Sequence, residues 1–108
     1  MTVQPGELWL ANILFTDASA AKIRPVLVLW LDALDAIVAA VTTAGPRSPT
    51  DVPLVDWQVE GLRKPSTVRL YRLDCLEQAL LIRRLGQLSV ADAGRVRSAW
   101  DAGVKPQF

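Results

Sequence analysis

The sequence of 108 residues contains no histidine and a single cysteine, Cys75. Histidine is the commonest general base and the commonest metal ligand, so its absence removes both roles together. One cysteine excludes an internal disulfide and fits a reducing compartment. The chain also lacks a glycine-rich phosphate loop, a CxxC pair, an HExxH motif and a nucleophile elbow. We therefore expect no metal site and no cofactor.

Long hydrophobic runs are also missing. The longest apolar-rich stretch, Val26 to Val41, is interrupted by Asp32 and Asp35 and is too short to span a bilayer. The segment MTVQPGELWL lacks the basic and then apolar layout of a signal peptide. A length of 108 residues suits one domain over residues 1–108. The sequence therefore predicts a cytoplasmic protein of one domain that has no contact with a membrane.

The charges nearly cancel, with 12 basic and 11 acidic residues, but they are unevenly distributed. Up to Leu62 there are three basic and seven acidic residues, whereas from Arg63 onward there are nine basic and four acidic ones. Four of the basic residues fall within ten positions, namely Arg63, Lys64, Arg69 and Arg72. This cluster is consistent with a patch for an anionic ligand, and equally with the solvated face of a strand.

The hydrophobic pattern indicates a small barrel or rolled sheet with one helix. Apolar and β-branched segments separated by short polar loops predict five or six strands. They are ELWLANILF, RPVLVLW, IVAAVTT, VPLVDW, STVRLYRL and ALLIRRLGQL, and the last of these is also compatible with a short helix. Ser89 and Asp92 form a capping-box-like start, and helical spacing continues towards Gly103, which predicts a helix over about 89–102. The predicted fold class is mainly β with a helix, a small α+β domain.

Some connections and strand faces are predicted in more detail. We expect LDALDA to be a short connection of about one helical turn, and DCLEQ to be a brief excursion between strands. Pro25 lacks an N–H, so it should begin its strand or lie on an edge, and Pro53 likewise marks an edge strand. Alternation in STVRLYRL places Thr67, Arg69 and Tyr71 on the polar face of a half-exposed strand.

Two features could carry chemistry. Arg24 precedes Pro25 at the start of a core strand, where the turn needs only the proline. Its guanidinium offers five donors in a fixed fork suited to phosphate, although its stem could equally shield the strand end. Thr42 and Thr43 end a buried strand, where a hydroxyl at the rim of the sheet could meet a ligand, or simply reflect β-propensity. Residue chemistry alone favours the structural explanation for each.

Six segments in order carry a family resemblance. They are PGELWLANI, FTDASAAKIRPVLVL, IVAAVTT, PTDVPL, GLRKPSTVRL and RRLGQLSVAD. In these, the chain resembles the MazF/PemK family of growth-inhibiting toxin endoribonucleases from bacterial type II toxin–antitoxin systems, over about Gly6 to Trp100. The resemblance implies an SH3-like barrel of five to seven short strands with a C-terminal helix, assembled as a homodimer.

The resemblance also implies metal-independent cleavage of single-stranded RNA. The 2′-hydroxyl attacks the adjacent phosphate and leaves a 2′,3′-cyclic phosphate and a 5′-hydroxyl. This agrees with the sparse chemistry of the chain, because RNA supplies its own nucleophile and the protein needs no catalytic triad. The protein must then stabilise charge on the phosphate and move protons.

The resemblance assigns roles to particular residues. The arginine of the family's Arg-Pro pair corresponds to Arg24, and the threonine at the strand end to Thr42, and both are expected to be catalytic. The group that takes the proton is left open, because arginine is normally locked in its protonated form. The residues expected to bind RNA are Asp17, Ser19, Lys22, Thr43, Arg47, Arg69, Tyr71 and Arg72. Tyr71 stands where relatives carry a carboxylate, and could stack on a base or cover the barrel.

The resemblance implies partners and leaves alternatives open. It implies a cognate antitoxin with a disordered acidic tail, and DNA binding by the resulting complex is conceivable. Trp9, Trp30 and Trp100 offer apolar material for the homodimer. One alternative is a barrel of the same shape that binds RNA or protein without cutting. Another is a gyrase-inhibiting toxin relative, against which the Arg-Pro and threonine positions argue.

Overall fold

The computed structural model describes residues 2–13 and 22–108. Within these ranges the elements are β1 (Glu7–Ile13), β2 (Lys22–Asp32), β3 (Asp35–Thr42), β4 (Asp51–Pro53), β5 (Thr67–Glu77), a 3-10 turn (Gln78–Leu80), β6 (Leu81–Gln87) and helix α1 (Val90–Gly103). The strands form one antiparallel sheet in the order β4-β5-β3-β2-β1-β6. The predicted fold class, mainly β with a C-terminal helix, is confirmed.

The connection between β2 and β3 is a tight hairpin and not the predicted helical turn. Asp32 pairs with Asp35, so only Ala33 and Leu34 lie between the strands. Ala33 adopts a positive φ of 51°, the backbone region that two-residue hairpin turns require. Strand pairing on both sides of LDALDA therefore overrides its helical composition.

Pro25, which was predicted to begin its strand or to lie on an edge, lies inside β2. β2 pairs with β1 from Lys22 to Leu27, whereas its pairing with β3 begins only at Val26. Pro25 thus occupies the part of β2 that is paired with β1 alone. The missing N–H is tolerated for the same reason that proline is tolerated on edge strands. The edge prediction for Pro53 is confirmed, since it ends the edge strand β4.

β5 continues through the segment DCLEQ, which was predicted to leave the sheet. Asp74 pairs with Val38 and Glu77 with Asp35, so β3 supplies a partner along its whole length. Between these pairs β5 is irregular, because Leu73 lies opposite Ala39 while Arg69 lies opposite Ala40. The intervening residues 70–72 form a bulge, and bulges bend a strand and re-aim its side chains.

The two faces of the sheet bury separate apolar clusters. The first cluster includes Trp9, Val26, Val28 and Val38, all nearly fully buried. The second includes the buried residues Leu8, Leu27, Leu54, Val68, Leu70 and Val96, the last on α1. Each fully buried side chain of this size contributes about 1.5–3 kcal/mol from removal of apolar surface from water. The clusters hold β2 and β3 firmly from both sides.

Helix α1 is fixed at its N-terminus by buried polar groups. Ser89 is the N-cap and its hydroxyl accepts a hydrogen bond from the N–H of Asp92, as the capping pattern predicted. The Asp92 carboxylate is fully buried and accepts from the backbone N–H groups of Val55 and Asp56. The helix is thereby tied to the loop after β4. Further along, Trp100 meets Trp30 edge to face, with ring centroids 5.8 Å apart.

Candidate active site

Arg24 and Thr42 lie at the same rim of the sheet, on the same face. Val28 pairs with Val38 and Val26 with Ala40, and the same register, continued by two residues in each strand, leads to Arg24 and Thr42. Side chains two residues apart on a strand share a face, so both point to the side of the first cluster. Val26, two residues after Arg24 in β2, is fully buried and fixes the position of the strand that carries Arg24.

The two side chains differ in their surroundings. Arg24 is exposed on β2 and its backbone pairs with Ala11 of β1. Thr42 is half-buried, and its hydroxyl accepts a hydrogen bond of 3.2 Å from the N–H of Ala44. Because that bond uses the oxygen as an acceptor, the hydroxyl proton can still be donated to a ligand. The rim therefore presents a cation beside a hydroxyl donor.

Arg69 is buried, contrary to the prediction of a solvated polar face. Its Nη1 atom lies 2.9 Å from Oδ2 of Asp51, and the two side chains are 5% and 0% exposed. Asp51 pairs directly with Arg69 across β4 and β5, so the edge strand covers the guanidinium. The same Asp51 oxygen accepts from the N–H of Arg47 at 2.7 Å. A sequence pattern of alternation could not show that β4 covers this face.

Tyr71 lies at the meeting point of two guanidinium groups. Its hydroxyl oxygen accepts from Nη2 of Arg47 at 3.2 Å and from Nη1 of Arg69 at 3.3 Å. The hydrogen bond from Arg47, together with the one from Arg69, lowers the pKa of Tyr71 below its ordinary value. The ring remains half exposed, at 48%. The two arginines thus hold the Tyr71 hydroxyl in place beside the loop that follows Thr42, and its pKa is lowered.

The remaining predicted RNA contacts are divided between several places. Lys22 is exposed two residues before Arg24 in β2, and Thr43 is exposed just beyond β3. Arg72 is half-buried in the bulge of β5. Asp17 and Ser19 lie outside the described residues. The described residues therefore join Arg47, Arg69 and Tyr71 by hydrogen bonds, and bring Arg24 and Thr42 to one rim.

Two residues near these groups were not assigned from the sequence. Asp51 holds both Arg47 and Arg69 in place. The sequence offered one signal of this role, which is that an acidic residue stands between Pro49 and Pro53, ahead of the arginine-rich strand. Arg83 of β6 pairs with Leu10 of β1 and contributes to a basic groove on the second face of the sheet. Its position depends on a strand pairing between distant parts of the chain, which local sequence does not reveal.

A separate group of carboxylates lies where α1 meets the loop after β4. Oxygens of Asp56, Glu60 and Asp92 lie within 4.8 Å of one another. Both oxygens of Asp92 already accept backbone N–H groups, and Oε2 of Glu60 accepts the N–H of Ser89 at 2.8 Å. Burial, opposed by the Ser89 hydrogen bond but reinforced by Asp92, raises the pKa of Glu60 to about 7. A shared proton fits these groups better than a cation does.

Asp92 carries the charge of this carboxyl pair. Although burial acts in the opposite direction, the N–H groups of Asp56 and Val55 lower its pKa. Two adjacent carboxyls with opposite shifts are the pattern expected when one stays ionised and the other keeps its proton. We infer that the pair has a structural role and attaches the start of α1 to the loop after β4.

Comparison with known proteins identifies the class of the chain. A family model described as "PemK-like, MazF-like toxin of type II toxin-antitoxin system" matches residues 4–101. The chain belongs to this family, and the resemblance predicted from the six segments is confirmed. No curated protein sequence matches the chain. Within the described residues, no helix is long and apolar enough to cross a membrane.

Solved structures of toxins share the fold. The Mycobacterium tuberculosis toxin MazF-mt6 is 26% identical, with a TM-score of 0.72 over 89% of this chain and 94% of that one. An endoribonuclease from a mycobacterial species, in complex with its cognate antitoxin, is 17% identical, with a TM-score of 0.75 over 97% and 99%. A MazE–MazF structure from Deinococcus radiodurans is 20% identical, with a TM-score of 0.71 over 94% of each chain.

Proposed function

We propose that the protein is an endoribonuclease that cleaves single-stranded RNA without a metal ion. The 2′-hydroxyl attacks the adjacent phosphorus, the bond to the 5′-oxygen breaks, and the products end in a 2′,3′-cyclic phosphate and a 5′-hydroxyl. The observation that carries the proposal is the placement of Arg24 and Thr42 at one rim, on adjacent strands and on one face. Membership of the toxin family supports the same activity.

The geometry suits stabilisation of a phosphate that gains charge. Arg24 projects from a strand whose next residues on the same face are fully buried, so the guanidinium is attached to a rigid base. It would donate paired, charge-assisted hydrogen bonds to the non-bridging oxygens. Thr42, whose oxygen already accepts from Ala44, would donate its proton to the same phosphate or orient the 2′-hydroxyl.

The neighbouring residues would bind the RNA strand around the scissile phosphate. Lys22 and Arg47 are exposed cations for the backbone, and Arg72, half-buried in the bulge of β5, adds a third positive charge. Arg69 is buried against Asp51, so its role would be to hold Tyr71 and not to contact RNA itself. The half-exposed Tyr71 ring would stack on a base while its hydroxyl donates to a polar group. Thr43 would contact the RNA on the opposite side of the rim.

End chemistry of the cut RNA tests the proposal. Wild-type protein in EDTA should leave cyclic phosphate ends, and Arg24→Ala should lower the rate about 10²–10³-fold, since that is the usual loss for one charge-stabilising donor. Arg97→Ala, an exposed arginine on α1, is the matched control and should cleave normally. Unchanged cleavage by Arg24→Ala would refute the mechanism. Intact RNA that binds with a steep salt dependence would instead favour a binding protein without nuclease activity.

We further propose that the protein is a single-domain cytoplasmic homodimer neutralised by a cognate antitoxin. Two structural relatives were solved with their antitoxins, which supports such a partner here. The basic second half of the chain suits an acidic partner segment. Sedimentation of the purified protein at micromolar concentration should give a dimer, and a monomer would contradict this part of the proposal.

A further inference from the structure

A basic groove lies on the second face of the sheet, at the same rim as Arg24 and Thr42. It has a volume of about 330 Å³. Pro25 of β2 and Thr43, just beyond β3, line its near end, and they directly follow Arg24 and Thr42 in the sequence. Because successive side chains of a strand point to opposite faces, Arg24 and Pro25 of β2 belong to opposite sides of the rim, and Thr43 lines the groove from the bend that follows Thr42.

Two glycines form the wall of the groove. Gly61 has a φ of 93°, and a Cβ on it would collide with the carbonyl group of Leu85. Gly86 has the reciprocal constraint, since a Cβ there would collide with the carbonyl group of Glu60. The loop after β4 therefore touches β6 backbone to backbone, which only glycine permits. This contact carries the next residues of the loop, Arg63 and Lys64, to the mouth of the groove.

The lining combines an apolar floor with positive charge. Leu10, Leu62 and Leu85 contribute the apolar surface, together with Pro25. Arg63, Lys64 and Arg83 contribute three cations, and the described residues that line the groove include no acid. Such a lining favours a ligand with a flat apolar part and a negative charge, and arginine planes also stack on unpaired bases.

The size of the groove restricts the ligand. Small-molecule sites usually enclose about 300–1,000 Å³, so this groove lies at the lower end and suits one small group. One nucleotide combines the flat base and the phosphate that the lining favours. A continuous strand of RNA that crosses the rim would reach both faces.

We propose that this groove is a nucleotide subsite: it binds the nucleotide one step beyond the two that flank the phosphate held by Arg24 and Thr42, and thereby contributes to substrate preference. The inference rests on the proposed nuclease function. The base lies against the leucines and Pro25, and Arg63, Lys64 and Arg83 contact its phosphate. The Thr43 hydroxyl is positioned at the rim, where it can hydrogen-bond to the sugar or the base.

The test uses short RNA substrates of graded length. A dinucleotide with one scissile phosphate is compared with RNAs extended by one nucleotide on the 5′ or the 3′ side. The groove variant combines Lys64→Gln with Arg83→Gln, two exposed residues, and the matched control combines Lys105→Gln with Arg97→Gln, also exposed and of equal charge. Circular dichroism and thermal melting establish that the variants are folded.

We expect wild type to cleave one of the extended RNAs at least tenfold faster, by kcat/KM, than the dinucleotide. The groove variant should lose most of that gain while it cleaves the dinucleotide within about twofold of wild type. The control variant should keep the gain. For a longer RNA, the salt slope of binding should fall by about 0.7 in the groove variant, since the cations of the groove contact one phosphate and each neutralised phosphate of a single strand contributes roughly 0.7.

The outcomes separate this inference from the proposed function. If wild type cleaves RNA but the groove variant retains the full gain from extension, the subsite is refuted and the nuclease stands. If wild type cleaves nothing, the proposed function fails, and the groove is then judged by binding of the same RNAs with 2′-O-methyl groups. Equal binding by the groove variant and the control variant would overturn the subsite in that case.

Discussion

Replacing Glu60 by glutamine should change how the stability of the protein depends on pH. Glu60 is only 1% exposed, its Oε2 accepts the N–H of Ser89, and its carboxyl faces Asp92. Its pKa is raised from 4.5 to about 7 in the folded protein, mainly by burial. At roughly 1.36 kcal/mol per pKa unit, this shift corresponds to about 3 kcal/mol.

The sign of the effect follows from proton linkage. The folded state binds the Glu60 proton more tightly than the unfolded state does, so the contribution to stability is complete below pH 4.5. It is lost as the pH rises towards 7, because the buried carboxyl must then ionise beside Asp92. Glutamine has no proton to lose, and its amide can replace the carboxyl as a donor to Asp92. The stability of Glu60→Gln relative to wild type should therefore increase by about 3 kcal/mol between pH 4.5 and pH 8.

Urea unfolding at several pH values measures this difference. Free energies of unfolding are compared for wild type and Glu60→Gln at pH 4.5, 6, 7 and 8. Glu77→Gln is the control, because Glu77 is an exposed residue of β5. Its curve should run parallel to that of wild type. If the curve of Glu60→Gln also runs parallel to wild type, Glu60 does not titrate in this range and the account of the carboxyl pair is wrong.

Three further predictions concern other polar contacts. Asp51→Ala should destabilise the protein by about 3–5 kcal/mol, because it leaves the buried Arg69 guanidinium without its ion-pair partner. Urea unfolding measures this loss, and a loss below about 1 kcal/mol would contradict the buried ion pair. Tyr71 is the single tyrosine, so formation of its phenolate can be followed by ultraviolet absorbance. Arg47→Gln should move this titration to higher pH, because the hydrogen bond from Arg47 lowers the pKa of Tyr71, and an unchanged curve would exclude the contact. Ser89→Ala should lower stability by about 1 kcal/mol through loss of the helix cap, whereas Ser98→Ala, on the exposed middle of α1, should not.

The sequence predicted local structure well where hydrophobic pattern and capping agree. The strands around Val26 and Val38 and the helix beginning after Ser89 were expected, because their apolar spacing and cap residues match the elements formed. The hairpin turn at Ala33 and Leu34 was missed, since its helix-like composition is overruled by pairing of the strands on either side. Local preference is weak compared with such tertiary pairing.

The candidate site was predictable in part. Arg24 and Thr42 were singled out from the sequence, and the register of β2 and β3 brings them together. The burial of Arg69 and the role of Asp51 were not predictable, because both depend on how the short strand β4 covers β5. The groove around Arg83 likewise depends on the pairing of β6 with β1, whose sequences lie far apart.

The position of Pro25 has a consequence for the order in which the candidate site forms. The hairpin of β2 and β3 closes at Ala33 and Leu34, and its ladder ends at Val26 and Ala40, where Pro25 offers no N–H to extend it. If pairing starts at the turn, Arg24 and Thr42 are the last residues of the hairpin to come together and the first to separate. We therefore expect amide hydrogens near Thr42 to exchange faster with solvent than those near Val38, and equal protection would contradict this. A ligand that bridges Arg24 and Thr42 would then join the ends of β2 and β3 where their backbone pairing stops.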